Sequence, residues 1–307
     1  MTTGADKVAQ DIRAAAAAAG VRIWLHARSL SSGQEVGVAA DEPVVLASVL
    51  KIAVAVELAR QAARGRIGLD ERITLRPAEL TPSPSGLGVL SGPVTLPIRD
   101  LAVLMLSLSD NAATDVLIAR LGAKSLDLLT EELGLTQTAI PEDCAAIIRS
   151  VGEDLGLGYT DDESALDGVD PARLRTLRAL DPTRTCRSTA RETVQLLTAV
   201  WRDQVDPPEA AALVRAWMSH QAWEHRLASG FDDEITVVGK TGTLPGLRNE
   251  AGVVTYPDGR DYAVAVFTRD DDFRSRSSAR DHFLGRAARM AVEELRRTDG
   301  QSMRRPA

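Results

Sequence analysis

The chain has 307 residues, of which 44% are hydrophobic and 26% charged, with 23 Gly and 14 Pro spread along it. That length supports one large domain or two interleaved ones, and the composition excludes a short disulfide scaffold, a collagen-like repeat and extensive disorder. The net charge of −7, from 36 basic and 43 acidic residues, argues against a nucleic-acid partner, which needs a clustered basic face; the Arg-rich C-terminal tail is the weak exception.

Residues 6–19 predict a helix closed by Gly20, which takes a left-handed turn at little cost. Asp6, Lys7, Asp11 and Arg13 precede its Ala run, so the segment lacks the continuous apolar stretch of a secretory signal, and the expectation is a cytoplasmic protein. VRIWLHARSL and EVGVAA flank SSGQ and read as a β-hairpin. Helical patterns follow at 48–64, at 97–108 and 112–122 around a polar SDN break, and at 187–204 and 207–220. The segment 141–184, rich in Asp, Glu, Gly and Arg, reads as a long loop with short helices covering a cleft. EITVVGKTGTL, RNEAGVVTYP and RDYAVAVFTR are three further strands, the last two joined at PDG.

Strands at both ends around a helical middle predict an α+β architecture, with a sheet region formed by 1–47 and 230–307, a helical region over 48–229, and a cleft where they meet. Cys144 and Cys186 lack zinc-site spacing and read as free thiols, a disulfide between them being the alternative. No metal or other cofactor is implied. LAVLMLSLSD reaches its Ser and Asp after about half of the ~20 apolar residues a membrane helix needs, so no membrane partner is expected either. Oligomeric state is not legible.

Three elements carry chemistry. In Ala47-Ser48-Val49-Leu50-Lys51, a spacing of three puts Ser48 and Lys51 one helical turn apart on one face. An amine leaving the apolar run IAVAVELA is partly desolvated, which favours its neutral, basic form; the other reading is a capping Ser beside a solvated Lys. Ser109-Asp110-Asn111 is either a helix–helix turn with an Asp or Asn N-cap, or a hydroxyl and an amide placed in the cleft. Lys240-Thr241-Gly242-Thr243 is either a strand end or a cation and two hydroxyls facing a ligand, with Gly242 permitting close approach of substrate backbone.

Together SVLK, SDN and KTG resemble the penicillin-recognising serine hydrolases, which include class A β-lactamases, penicillin-binding proteins and related esterases. The resemblance spans nearly the whole chain, up to a C-terminal helix near 277–297, and implies a β-lactamase/transpeptidase-like fold: an antiparallel sheet with helices on its faces and an all-helical insertion. It implies Ser48 as the acylated nucleophile, Lys51 as its base and Ser109 as the proton relay to the leaving group. Asn111 would bind an acylamide, while Lys240, Thr241 and Thr243 would bind a substrate carboxylate. The oxyanion hole would be the backbone N–H groups of Ser48 and Thr243. Arg248, just after KTG, is a further candidate at the carboxylate. The implied partner is a small-molecule substrate bearing a carboxylate, and the implied activity is that of a β-lactamase, esterase or amidase.

One family element is missing. Class A β-lactamases carry Arg-x-Glu-x-x-Leu-Asn between SDN and KTG, whose Glu activates the deacylating water; this chain has no such segment, and its only Asn residues are Asn111 and Asn249. Glu142, Glu153 and Glu163 are either replacements or solvated surface carboxylates, and Lys51 is the further candidate to activate that water. Acylation is therefore better provided for than deacylation. The alternative function is a non-hydrolytic protein that binds or senses a β-lactam-like or peptide ligand.

His26, His220, His225 and His282 are scattered and there is no Gly-x-Ser-x-Gly elbow, which disfavours a Ser-His-Asp triad. Gly86-Leu87-Gly88 lies outside any strand-to-helix context for a dinucleotide. Trp201, Trp217 and Trp223 read as core or cleft-wall residues.

Overall fold

The computed structural model describes residues 3–159, 166, 168–273 and 277–302. Helix α1 (Gly4–Ala18) starts at Thr3, whose hydroxyl accepts from the Asp6 backbone N–H at 3.1 Å while the Asp6 carboxylate accepts from the Thr3 N–H at 3.0 Å. This reciprocal cap satisfies two donors that the first turn leaves without helical partners. In chain order follow β1 (Arg22–Ser29), β2 (Glu35–Val38), β3 (Val44–Val45), α2 (Lys51–Ala63), β4 (Arg72–Leu75), β5 (Val94–Pro97), α3 (Ile98–Ser107), α4 (Asn111–Leu121) and α5 (Ser125–Glu132). The rest are α6 (Cys144–Leu155), α7 (Pro171–Leu174), β6 (Arg187–Ser188), α8 (Ala190–Trp201), α9 (Glu209–Met218), β7 (Thr236–Leu244), β8 (Leu247–Thr255), β9 (Asp261–Arg269) and α10 (Ser278–Ser302).

Both chain ends contribute to one five-stranded antiparallel sheet in the order β2-β1-β9-β8-β7. Side chains alternate across a strand, and here both faces are covered. Trp24, Ala251, Val253, Ala263, Ala265 and Phe267 join the core shared with the helical layer, whereas Leu25, Val254, Tyr262, Val264 and Val266 join a second core under α1 and α10. Burial on both faces explains why β9 reads as the nearly continuous apolar run YAVAVF. Within the helical layer, every residue of α2 from Lys51 to Gln61 is buried, the polar Lys51, Glu57, Arg60 and Gln61 included.

The strands lie close to the predicted segments, as do the helices at both ends of the chain. The 187–204 pattern divides: Arg187–Ser188 pair with β3, and α8 begins only after the Thr189 hydroxyl caps it by accepting from the Glu192 N–H at 3.0 Å. The stretch 141–184 differs from the expected loop with short helices, because it contains the three-turn helix α6. Asp143 caps α6 through the Ala146 N–H at 2.8 Å, and Asp115 accepts from Cys144 and Ala145 N–H groups at 2.8 Å each. Its large buried side chains, Cys144, Ile147, Ile148 and Leu155, form one helical face. Helix α5 and the short β3–β6 and β4–β5 ladders were also outside the prediction. Among the described residues no helix is long and apolar enough to cross a membrane.

Candidate active site

Ser48 lies in the single 3-10 turn Ala47–Leu50, which runs directly into α2. Ala47 before it has φ = +47°, a region that residues with a Cβ rarely occupy and that must be held by surrounding structure. Three contacts hold it. Leu46 N–H donates to Cys186 O at 3.0 Å, the Asn249 amide donates to Val45 O at 3.0 Å, and β7 passes so close at Gly242 that a Cβ there would lie 2.8 Å from Leu46 O. Gly242 thus makes room for the turn carrying Ser48, where the sequence suggested room for substrate backbone. Asn249, visible in the sequence only as one of two asparagines, ties β8 to the same turn.

Lys51, the first residue of α2, is fully buried, and its amine donates to Ser109 O at 2.6 Å, Ser109 Oγ at 3.2 Å and Asn111 Oδ1 at 2.8 Å. One side chain therefore joins the SVLK turn to the SDN turn. The three SDN residues are placed differently. Asp110 is structural: it caps α4 by accepting from Ala113 N–H at 3.1 Å and clamps the 86–89 turn by accepting from Leu87 N–H at 2.6 Å, while burial raises its carboxyl pKa. Ser109, with φ = +60°, and Asn111 face the cleft.

Strand β7 forms the opposite wall. Lys240 is fully buried, its amine 2.9 Å from Thr241 O, and Thr241 and Thr243 line the cleft above it. Burial pushes the Lys240 pKa well below the usual lysine value, the Lys51 charge adds to that, and Glu250 opposes it. Glu250 stands opposite Thr241 in the β7–β8 register and accepts from Leu227 N–H at 2.7 Å. Its carboxyl is pushed up to about 7, chiefly by burial.

Arg226 is the residue that sequence reasoning missed. Its guanidinium donates to Gly242 O at 3.0 Å, Asn249 O at 3.1 Å, Thr243 Oγ1 at 2.8 Å and Asp281 Oδ1 at 2.8 Å. An isolated Arg in AWEHRLASG carries no local motif; only the tertiary structure reveals it. Arg248, opposite Thr243 in the register, also lines the cleft, with its Nε 3.9 Å from Asp281 Oδ1.

Between these walls is a cavity of about 800 Å³, whose lining includes neither Lys51 nor Lys240. Ser48, Ser109 and Asn111 meet there; Thr241, Thr243, Arg226, Arg248, Asp281 and His282 form the sheet-side wall, and Cys144, Ile147 and Ile148 of α6 form part of the helix-side wall. Trp223 lines the mouth and meets His225 edge-on at 6.2 Å, whereas Trp217 is in the core and Trp201 packs against it. His26 is buried far along the sheet, with its Nε2 3.0 Å from Arg191 Nη1.

Of the candidate deacylation carboxylates, the described Glu142 and Glu153 do not line this cavity. Glu142 is half-buried outside the lining, Glu153 pairs with Arg178 at 2.7 Å, and Glu163 lies outside the described residues. Asp281 is the single carboxylate among the described lining residues, and it is engaged by Arg226. Cys144 and Cys186 are buried free thiols, both pushed up to about 12 by burial.

A model of the beta-lactamase enzyme family matches residues 7–295. The chain belongs to the beta-lactamase enzyme family. This family member is 29% identical over 287 residues to a protein named beta-lactamase regulatory protein BlaB from Streptomyces cacaoi, covering 88% of this chain and 91% of the relative. It is 26% identical over 279 residues to a beta-lactamase from Rhodobacter capsulatus, covering 90% and 85%. Among solved structures, a mutant of PBP-A in an acyl-enzyme complex with penicillin G aligns with a TM-score of 0.73 at 23% identity, covering 94% of this chain and 97% of that one. A beta-lactamase from Sphaerobacter thermophilus aligns at 0.74 and 22% identity, covering 94% and 96%. Those structures establish that this beta-lactamase family member has their α+β fold.

Proposed function

We propose that this family member is a serine hydrolase that acylates readily on Ser48, from a β-lactam, ester or amide, and deacylates slowly. The observation that carries the reading is the Lys51 amine, buried one helical turn from Ser48 and bonded to both Ser109 and Asn111. Ser48 Oγ attacks the substrate carbonyl carbon while Lys51, in its neutral form and with one of its hydrogen bonds released, takes the hydroxyl proton onto its nitrogen lone pair. Negative charge on the carbonyl oxygen is met by the backbone N–H groups of Ser48 and Thr243, donors worth about 3 kcal/mol each to the transition state. Ser109 passes a proton to the leaving group, and Asn111 contacts the acyl portion. Thr241 and Thr243 bind a substrate carboxylate and Arg248 supplies positive potential, while Lys240 lies buried beneath them. Arg226 fixes the Thr243 hydroxyl by donating to its oxygen, leaving the O–H available to that carboxylate.

Deacylation needs a base for water. Cys144, with its thiol near 12, and Ile147 and Ile148 provide none along the α6 wall. That same wall favours a second reading, in which the persistent acyl-enzyme is the functional state and the protein senses its ligand; a relative named as a regulatory protein agrees with it.

Intact-mass measurement after incubation with penicillin G, and separately with p-nitrophenyl acetate, tests the proposal. The expected result is one acyl adduct, or released product, that disappears in Ser48→Ala. Identical behaviour of wild type and Ser48→Ala with both compounds overturns it.

A further inference from the structure

Part of the wall of the cleft that holds Ser48 is apolar and has no role in the reaction as described. Cys144, Ile147 and Ile148, spaced i, i+3, i+4, present one face of α6 to the cavity. Leu50 at the end of the nucleophile turn, Leu108 at the C-cap of α3 and Pro84 line the same cavity. None of these six side chains carries a charge, and the buried Cys144 thiol stays neutral at physiological pH.

The amide best placed to read a polar acyl substituent is already engaged. Asn111 Oδ1 accepts from Lys51 at 2.8 Å and its Nδ2 donates to Pro82 O at 3.3 Å. An acyl group with its own amide has to compete with those bonds, whereas a hydrocarbon chain needs only apolar surface. The charged groups Arg226, Arg248 and Asp281 belong to the sheet-side wall, so a substrate with its carbonyl at Ser48 directs its anionic end there and its acyl end toward α6.

We propose that the Cys144–Ile147–Ile148 face of α6 is an acyl-chain pocket, and that the preferred substrates are esters of unsubstituted, medium-length aliphatic carboxylic acids. This inference rests on the acyl-enzyme reading. The same face selects the acyl group and keeps water from the ester it forms.

Burial of one methylene contributes about 0.8 kcal/mol, or about fourfold in specificity. The test measures the second-order rate constant for Ser48 acylation by p-nitrophenyl acetate, butyrate, hexanoate and octanoate, with release of p-nitrophenolate as signal and intact mass as proof of the adduct. The expected result is a rise of about fifteenfold for each added pair of methylenes, flattening once the pocket is full. The hexanoate-to-acetate ratio is expected to fall at least fivefold in Ile148→Ser and to persist in Ile148→Leu; being a ratio within each variant, it is insensitive to an unfolded fraction. Ester acylation of Ser48 without chain-length dependence, or an unchanged ratio in Ile148→Ser, overturns the pocket while leaving the acyl-enzyme reading intact. Absence of any Ser48 adduct overturns that reading, and the pocket with it.

Discussion

The two walls of the cleft are built in opposite ways. On the sheet side, β7 is fixed by a dense polar arrangement: Arg226 holds the Gly242 and Asn249 carbonyls and the Thr243 hydroxyl together, and Lys240 and Glu250 are buried alongside. On the helix side, α6 presents Cys144, Ile147 and Ile148 to the cavity, while its Glu153 and Asp154 pair with Arg178. Rigid donors and cations suit a developing oxyanion and a bound carboxylate, whereas a water nucleophile needs a proton acceptor, which the apolar wall lacks. Among the described residues the two walls of one cleft thus offer opposite surroundings, polar on the sheet side and apolar along α6.

The largest expected effect comes from the polar side. Lys51→Ala removes the proposed base and the link between the two serine-bearing turns, and acylation by p-nitrophenyl acetate is expected to slow about 10²- to 10⁴-fold in stopped-flow measurements. A loss of less than tenfold breaks the assignment. Next in size is an exchange of character on the apolar side. Ile147→Glu places a carboxylate on the α6 face; the acyl-enzyme lifetime, followed by intact mass, is expected to shorten at least about tenfold. Burying the new carboxylate costs about 1–3 kcal/mol of stability, seen as a lower Tm. An unchanged lifetime in a folded variant shows that lack of a base on this wall does not limit deacylation.

The smallest effect concerns Glu250. Its folded-state pKa of about 7 lies above the ordinary 4.5, so between those values the folded protein holds a proton that the unfolded chain has released. The stabilising effect of that proton is fully present below about pH 4.5 and is lost as the pH rises through 7. Relative to wild type, Glu250→Gln is expected to lose less stability between pH 5 and pH 7.5, by on the order of 1 kcal/mol in urea unfolding. Parallel pH dependences contradict a protonated Glu250 beside Lys240.

What the sequence reveals and what it hides follow the range of the interactions. SVLK is legible because its two residues act across one helical turn, and KTG because it ends an apolar strand pattern that the fold retains. The α6 face was hidden although Cys144, Ile147, Ile148 and Leu155 have helical spacing, because twelve residues are few and the flanking Asp, Gly and Arg resemble loop composition. Arg226 and Asn249 act only on segments distant in sequence, so neither leaves a local pattern. Gly242 drew attention for a correct reason, close approach, but the approaching backbone belongs to the Leu46–Ser48 segment.

The central claim is that acylation of Ser48 outpaces its release, and pre-steady-state turnover of p-nitrophenyl acetate under excess substrate tests it most directly. A burst of p-nitrophenolate close to one equivalent per protein, followed by a steady rate at least tenfold slower and matched by accumulation of acetylated protein, is the predicted result. Linear release from the first turnover, with fast sustained hydrolysis and no accumulated adduct, contradicts it.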